Sequence, residues 1–215
     1  MEDTICMSTG QRSSVPHKKA VRTADIAERA EATRAALVAA GRRLFVEKGY
    51  FATGTEEIVA AAEVGTRGAL YHHFPNKKAL FLAVFLEVEE ELHSQAPHPD
   101  ETEDALLALR NGLRAYLKSS QTGEVQRILL VDGPAVLGWQ QWRELQVQYG
   151  LGSIRALLER AMQQGTVTQQ PVDVLAHVLL AATDEAAQFI ANADDPQRAR
   201  EDAVIVIDRL LENLG

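Results

Sequence analysis

The chain holds a single cysteine, Cys6, among 215 residues. One cysteine excludes an intrachain disulfide and any zinc site built from several cysteines. The chain also contains no glycine-rich phosphate loop, no G-x-S-x-G elbow and no H-E-x-x-H pair. These absences argue against an enzyme, and we expect neither a metal nor a cofactor. Four histidines also lack the spacing of zinc ligands, namely His72, His73, His93 and His98.

A long apolar run and an export signal are missing too. No uninterrupted apolar stretch approaches the ~20 residues that cross a membrane. Glu2 and Asp3 stand where a secretory signal peptide would be positively charged. We therefore expect a cytoplasmic protein without a membrane partner.

Strand-like alternation of apolar and polar residues is absent as well, and helical periodicity runs through most of the chain. This pattern predicts an all-α fold of about nine helices. We expect a flexible basic tail at residues 1–30, a three-helix unit at residues 31–78, and a larger helical bundle at residues 79–215.

Residues 53–78 are predicted to form two short helices joined by a tight turn. Thr53 and Glu56 make a T-x-x-E capping box that would start the first helix. Gly65 tolerates the positive φ that a sharp turn needs, and Thr66 is placed to cap the second helix. This layout is typical of a helix-turn-helix docked in a DNA major groove.

The helical period predicts which side of the second helix faces outward. Leu70 and Phe74 stack on one side and should pack against the first helix. Gly68 and His72 fall on the opposite side. Gly68 has no side chain, so the backbone could approach a duplex closely.

The outward residues match the chemistry of nucleic acids. Arg67 at the start of the second helix is suited to guanine O6 and N7, and Tyr71 and His72 are suited to bases or phosphates. Lys77 follows the helix and would neutralise a phosphate. The plainer interpretation is a set of solvated side chains on a helix pair that many all-α proteins contain.

The run from Thr33 to Leu80 resembles the N-terminal DNA-binding domain of TetR-family transcriptional regulators. The shared pieces are AGRRLFVEKGY from Ala40 to Tyr50, the isoleucine-led helix, and GALYHHF from Gly68 to Phe74 with the following NKK. The resemblance implies that the partner is a double-stranded DNA operator. The candidate DNA-contacting residues are Thr53, Thr55, Thr66, Arg67, Gly68, Ala69, Tyr71, His72, His73 and Lys77.

The turn before the second helix departs from the family pattern. Members commonly read A-G-V-S or A-G-V-T at this place, whereas this chain reads AEVGT from Ala62 to Thr66. The turn is one residue longer and its glycine is displaced. We expect the recognition helix to tilt differently, so an operator sequence cannot be transferred from a relative.

Charge is distributed unevenly along the chain. Residues 1–78 hold twelve Lys and Arg against nine Asp and Glu, which gives a formal charge of +3. Residues 79–215 carry a formal charge of −11, so the whole chain has a net charge of −8. A basic head on an acidic body directs a phosphate backbone towards one end of the molecule.

Residues 1–22 have the composition of a disordered tail, rich in serine, glutamine and basic residues. Two interpretations remain open. Either its basic side chains follow the DNA backbone or enter a minor groove, or the tail only increases solubility. The basic residues concerned are Arg12, Lys18, Lys19 and Arg22.

Two helices predicted near the C-terminus, at about residues 171–192 and 196–214, are unusually apolar. Such helices must be covered on more than one side, within one monomer or by a second subunit. The resemblance implies the second case, a homodimer through the last two helices. Its paired recognition helices would then read a palindrome.

The resemblance further implies a small-molecule effector bound in the helical body. His177, Asp184 and Gln188 share one face of an apolar helix at i, i+7 and i+11, where they could line a cavity, pair across the dimer or reach solvent. Aromatic residues are further candidates, with core packing as the plainer alternative. These are Phe81, Phe85, Tyr116, Trp139 and Trp142.

The function implied is a repressor that binds its operator as a dimer and is released by an effector. The first alternative is that the protein activates transcription. A DNA-binding or interaction module without a ligand is the other alternative, and it would have a filled body and no cavity.

Overall fold

The computed structural model describes residues 16–95 and 104–215. Within these ranges the chain forms nine α-helices and one π-helical segment, and no strand. The predicted all-α fold is confirmed. The helices are α1 (Pro16–Lys48), α2 (Thr55–Ala61), α3 (Arg67–His73), α4 (Lys77–Ser94), α5 (Ala105–Ser119), the π-helical segment (Val125–Asp132), α6 (Gly133–Leu137), α7 (Trp139–Gln164), α8 (Val172–Ala191) and α9 (Pro196–Glu212).

Helix α1 is longer than the sequence pattern predicts. It begins at Pro16, so the flexible tail predicted for residues 1–30 is wrong from residue 16 onward. Proline suits the first turn of a helix, and no glycine or proline interrupts the following alanine-rich and charged stretch until Gly41. Residues 1–15, with Arg12, lie outside the described residues.

Helices α1 to α3, which we call the head, close around a small apolar core. Ile58 of α2 and Leu70 of α3 are fully buried, and Phe74 directly after α3 is almost so. Burying one such aliphatic side chain contributes about 1.5–3 kcal/mol. Leu70 and Phe74 therefore face inward, as predicted.

Helix α2 does not begin with the predicted capping box. Gly54 occupies the N-cap position and α2 starts at Thr55. The Thr53 side chain is buried instead, and its hydroxyl donates to the carbonyl oxygen of Gly49 at 2.8 Å. Thr53 thus closes the end of α1, which terminates at Gly49 with a φ of +83°.

The turn between α2 and α3 contains two residues with left-handed backbone. Glu63 has a φ of +56° and Gly65 a φ of +81°. This conformation costs an L-residue about 1–2 kcal/mol, so Glu63 is strained where Gly65 is not. The predicted cap of α3 is confirmed, because Thr66 Oγ1 accepts a hydrogen bond from Ala69 N at 3.4 Å.

Helices α4 to α9, which we call the body, form a bundle in which α7 packs against α5 and α8, and α8 against α9. Trp142 of α7 is a central core residue, and its Nε1 donates to the carbonyl oxygen of Leu129 at 2.9 Å. Gly138 separates α6 from α7 with a φ of +88°, a conformation that glycine adopts without strain.

The head and the body meet at a buried carboxylate. Asp132, at the end of the π-helical segment, accepts a hydrogen bond from Tyr50 N at 2.7 Å and another from Arg127 Nε at 3.2 Å. Nearby, Lys78 Nζ donates to the carbonyl oxygen of Leu137 at 3.2 Å. The loop after α1 is therefore tied to the body by polar contacts as well as by apolar packing.

Among the described residues, helix α8 has the length and apolarity of a membrane span, with a mean hydropathy of 1.3 over its best window. The sequence prediction did not anticipate this. The buried polar residues Thr183 and Asp184 and its packing between α7 and α9 are features of a bundle helix, and we describe it as such.

We expect Asp132→Ala to lower the free energy of unfolding by about 2–3 kcal/mol, because Tyr50 N and Arg127 lose a buried acceptor. Urea denaturation measures the change. The matched control is Asp173→Ala, whose carboxylate pairs with Arg155 at the surface and should cost less than about 1 kcal/mol. Equal losses in the two variants would contradict a structural role of Asp132 at the joint.

Candidate functional site

Helix α3 presents a continuous outer face to solvent. Arg67, Gly68, Tyr71 and His72 are exposed, whereas Leu70 on the inner face is fully buried. The other residues predicted to contact DNA along this stretch are either exposed (Thr66) or half-buried (Thr55, Ala69 and His73). Eight of the ten predicted contact residues therefore lie on or beside one accessible surface.

A carboxylate restrains the arginine on this face. Arg67 Nη1 donates to Glu56 Oε1 at 2.9 Å, and the guanidinium lies 5.8 Å from the centre of the Tyr71 ring. Hydrogen bonding to Arg67 and then to Thr55 lowers the pKa of the Tyr71 phenol. Because Glu56, Arg67 and Tyr71 are exposed, these side chains can exchange their partners for phosphates or base edges.

Two of the ten predicted contact residues have other partners. The Lys77 ammonium donates to the carbonyl oxygens of Tyr50 at 2.8 Å and of Thr53 at 2.9 Å, and it lies 4.1 Å from the centre of the Tyr50 ring. Burial lowers the pKa of Lys77. Both side chains therefore close the end of α1 in this structure, and the predicted DNA contacts of Lys77 and Thr53 stay predictions.

A cavity of about 220 Å³ lies in the body between α4, α5, α7 and α8. Apolar side chains make most of its wall, and polar groups gather at one part of it. Its lining residues include Glu89, Leu92, His93, Gly112, Leu113, Tyr116, Gln146, Ile154, Leu180 and Asp184. A filled body, which the ligand-free alternative requires, is not what the structure has.

Asp184 is the centre of the polar part of the cavity. It accepts a hydrogen bond from Tyr116 Oη at 3.3 Å and forms an ion pair with Arg143. Gln146 Nε2 in turn donates to Tyr116 Oη at 3.4 Å. Burial raises the pKa of Asp184 to about 6, and the Arg143 charge opposes a larger rise. Each oxygen of this carboxylate thus has a partner.

Glu89 on α4 is different. Its side chain is 1% exposed, and its Oε1 has no hydrogen-bond partner. Burial, and secondarily the Asp184 charge, raise the pKa of Glu89 to about 8. His93 Nδ1 lies 3.8 Å from Glu89 Oε2 and 3.0 Å from the backbone oxygen of Glu89.

Glu89 was missed in the sequence because it lies in the run EVEEELH, which has the composition of a solvated helix end. A signal was present. Glu89 follows Phe81 and Phe85 at steps of four, so it continues the buried stripe of α4.

The residues predicted to line a ligand site divide into three groups. Tyr116 and Asp184 do line the cavity. Phe81, Phe85 and Trp142 do not, since they are fully buried core residues, as the plainer interpretation held. Trp139, His177 and Gln188 also lie elsewhere: Trp139 is 65% exposed, His177 is exposed, and Gln188 lies beside Trp139 on the outer surface.

The shared helical face of His177, Asp184 and Gln188 does not bring all three side chains to the cavity, for a geometric reason. Positions seven residues apart share a face but lie about 10 Å apart along the axis. The neighbouring helices α5 and α7 cover Asp184 and leave His177 uncovered.

Comparison with known proteins agrees with this arrangement. The family model described as "Tetracyclin repressor-like, C-terminal domain" matches residues 106–214, and the one described as "Bacterial regulatory proteins, tetR family" matches residues 37–84. The chain belongs to the TetR family of transcriptional regulators. The two matches correspond to most of the body and to the head with the start of α4.

Individual relatives support the same TetR-family assignment. The Transposon Tn10 TetC protein of Escherichia coli is 29% identical over 152 residues, which are 71% of this chain and 77% of that protein. The HTH-type transcriptional regulator AcrR of Shigella flexneri is 38% identical over 109 residues, 48% of each chain. The crystal structure of a TetR-family transcriptional regulator from Pectobacterium atrosepticum has 34% identity and a TM-score of 0.78, covering 87% of this chain and 96% of that one.

The raised pKa of Glu89 predicts a pH-dependent stability. The folded chain keeps a proton up to about pH 8, whereas an unfolded glutamate releases it near pH 4.3. Stability from this group is therefore present at low pH and is lost as the pH rises through this window. Glu89→Gln removes that loss, so the variant should gain on the order of 3 kcal/mol relative to wild type between pH 5 and pH 8.

Urea denaturation at pH 5, 6, 7 and 8 measures this difference. Glu87→Gln, an exposed position on the same helix, is the control and should run parallel to wild type. A Glu89→Gln difference that does not change with pH would contradict the prediction.

Proposed function

We propose that this TetR-family protein is a cytoplasmic repressor that binds a palindromic operator as a dimer and is released by a small effector. The observation that carries the proposal is the accessible face of α3. Arg67, Tyr71 and His72 project from it, while Leu70 anchors the same helix in the head core. Such a helix can enter a major groove without unfolding its support.

The dimer is proposed from the outer faces of α8 and α9. These faces carry large apolar side chains that the described chain leaves exposed, although α8 is apolar almost all round. Large apolar side chains exposed on two helices that pack against each other are typical of a subunit interface. The exposed residues are Val174, Val178 and Phe189 on α8, and Ile205, Val206 and Leu210 on α9.

Effector control is proposed to act through α4, which leaves the head at Lys77 and reaches the cavity at Glu89. On its other side Glu91 accepts a hydrogen bond from Arg42 of α1 at 2.6 Å. An effector that needs α4 in a different position would therefore bind the two head arrangements with different affinity. That difference is what allosteric release requires.

Arg67→Ala and Tyr71→Ala should each weaken specific operator binding by about 10- to 100-fold, because each removes a base-reading or phosphate-binding group. The operator is first selected from random-sequence DNA with the purified wild-type protein. Fluorescence anisotropy then gives the affinity of each variant for it.

Arg155→Ala is the control, since this exposed arginine lies on α7 in the body. It should bind the operator like wild type. Unchanged operator affinity of both head variants, with dimers intact by sedimentation, would remove α3 from the DNA interface.

A Val178→Asp, Val206→Asp double variant should be monomeric at micromolar concentration, because it places charges in the apolar faces of α8 and α9. Sedimentation velocity reports the mass, and operator affinity should fall with it because one recognition helix is lost from the palindrome. Leu107→Asp on α5, also an exposed apolar position, should leave the dimer intact. A double variant that stays dimeric would place the interface elsewhere.

A further inference from the structure

Glu89 is a carboxyl group with unused hydrogen-bonding capacity that faces the cavity. Its side chain is 1% exposed and its Oε1 lacks a partner, so neither water at the surface nor another side chain satisfies it. Leaving such a group unpaired costs about 1–3 kcal/mol. A ligand that donates a hydrogen bond to Oε1 would recover this free energy.

Two carboxyl groups line the cavity, and Glu89 is the one with an oxygen that has no hydrogen-bond partner. Asp184 is already paired with Arg143 and Tyr116. Facing Glu89 are Tyr116 on α5, Tyr149 on α7 and Asp184 on α8, which supply no cation. On α4 itself, His93 lies at 3.8 Å and also contacts the Glu89 carbonyl oxygen.

The charged and titratable groups around the cavity favour one class of ligand over the others. Where Glu89 is ionised, an anion would meet two carboxylates in a medium of low dielectric, where like charges repel strongly. A neutral hydroxyl would gain a hydrogen bond with Glu89 and no more. A protonated amine would gain both the hydrogen bond and the attraction of a buried ion pair.

The size and the wall of the cavity limit the rest of the ligand. A dry apolar cavity of about 150 Å³ holds a benzene molecule. The present cavity of about 220 Å³ has room for a ring and a short arm. Leu92, Leu113, Ile154 and Leu180 form its apolar wall, which matches an apolar body rather than a polar one.

We propose that the cavity binds a small organic cation, an apolar body with a protonated amine, and that Glu89 accepts a hydrogen bond from the amine. The inference deepens the effector site proposed above and rests on it. Because the neutral acid must ionise to pair with the cation, binding releases a proton. Affinity for the amine should therefore rise with pH up to about 8, the pKa of Glu89 in the empty protein.

Three probes of one shape test the charge preference: 2-phenylethylammonium, 2-phenylethanol and phenylacetate. Isothermal titration calorimetry on the full chain at pH 8 should give the cation an affinity at least about tenfold above the alcohol, with no binding of the carboxylate. Glu89→Gln should reduce the preference for the cation to near one. Glu87→Gln, exposed on the same helix, should retain the wild-type preference.

Proton release gives a readout that a merely structural role of Glu89 would not change. A carboxyl with a pKa of about 8 is about nine-tenths protonated at pH 7. Titrations at pH 7 in phosphate and in Tris, which differ in ionisation enthalpy, should therefore report nearly one proton released per cation bound. The alcohol, and Glu89→Gln with either probe, should release none.

Gly112→Leu tests whether the cation and the alcohol bind inside the cavity. Gly112 lines the cavity on α5, and a Cβ atom added to it would have no atom of another element within 4 Å. This variant should fill space in the cavity and weaken the cation and the alcohol alike.

A cation that binds no tighter than the alcohol, that binds Glu89→Gln as well as wild type, or that releases no proton overturns the inference. Operator release is measured separately. If the cation binds through Glu89 and the operator stays bound, the cation site stands and the effector role proposed above fails.

Discussion

Helix α4 is the element on which both halves of the protein depend, because its buried stripe belongs to one apolar core that contains residues of the head and of the body. Leu80 and Phe81 pack near the head, and Val84, Phe85 and Val88 continue the stripe into the body. An 18-residue helix is stiff on this scale. Any displacement at its cavity end must therefore be taken up at its head end, which is what the proposed effector control requires of the helix.

The polar contacts at the head–body joint complement this stripe. Apolar packing tolerates small sliding, whereas the Asp132 hydrogen bond to Tyr50 N and the Arg42 pairs with Glu91 and Glu124 have a defined direction. Such contacts are either made or broken. A joint of this kind favours discrete arrangements of the head over a continuum, which is the property that a switch needs.

Features set by local sequence were predictable, and those set by distant partners were not. The periodicity of Leu70 and Phe74 and the cap at Thr66 depend on residues within one or two turns. Lys77 and Thr53 depend on carbonyl groups exposed where α1 ends, so spacing alone suggested a phosphate contact and a capping box. The start of α1 at Pro16 was not predicted, because the composition of residues 16–30 is compatible with a helix and with a disordered tail.

Glu89 shows the same limit in its most informative form. Composition suggested a solvated glutamate, whereas the folded chain buries it beside a cavity that α5, α7 and α8 line together with α4. Two residues further on, Glu91 has the same chemistry and is paired with Arg42. The two glutamates therefore differ in that one oxygen of Glu89, Oε1, has no hydrogen-bond partner. Departures from polar satisfaction are expected at functional sites, and here the departure lies on the wall of the cavity.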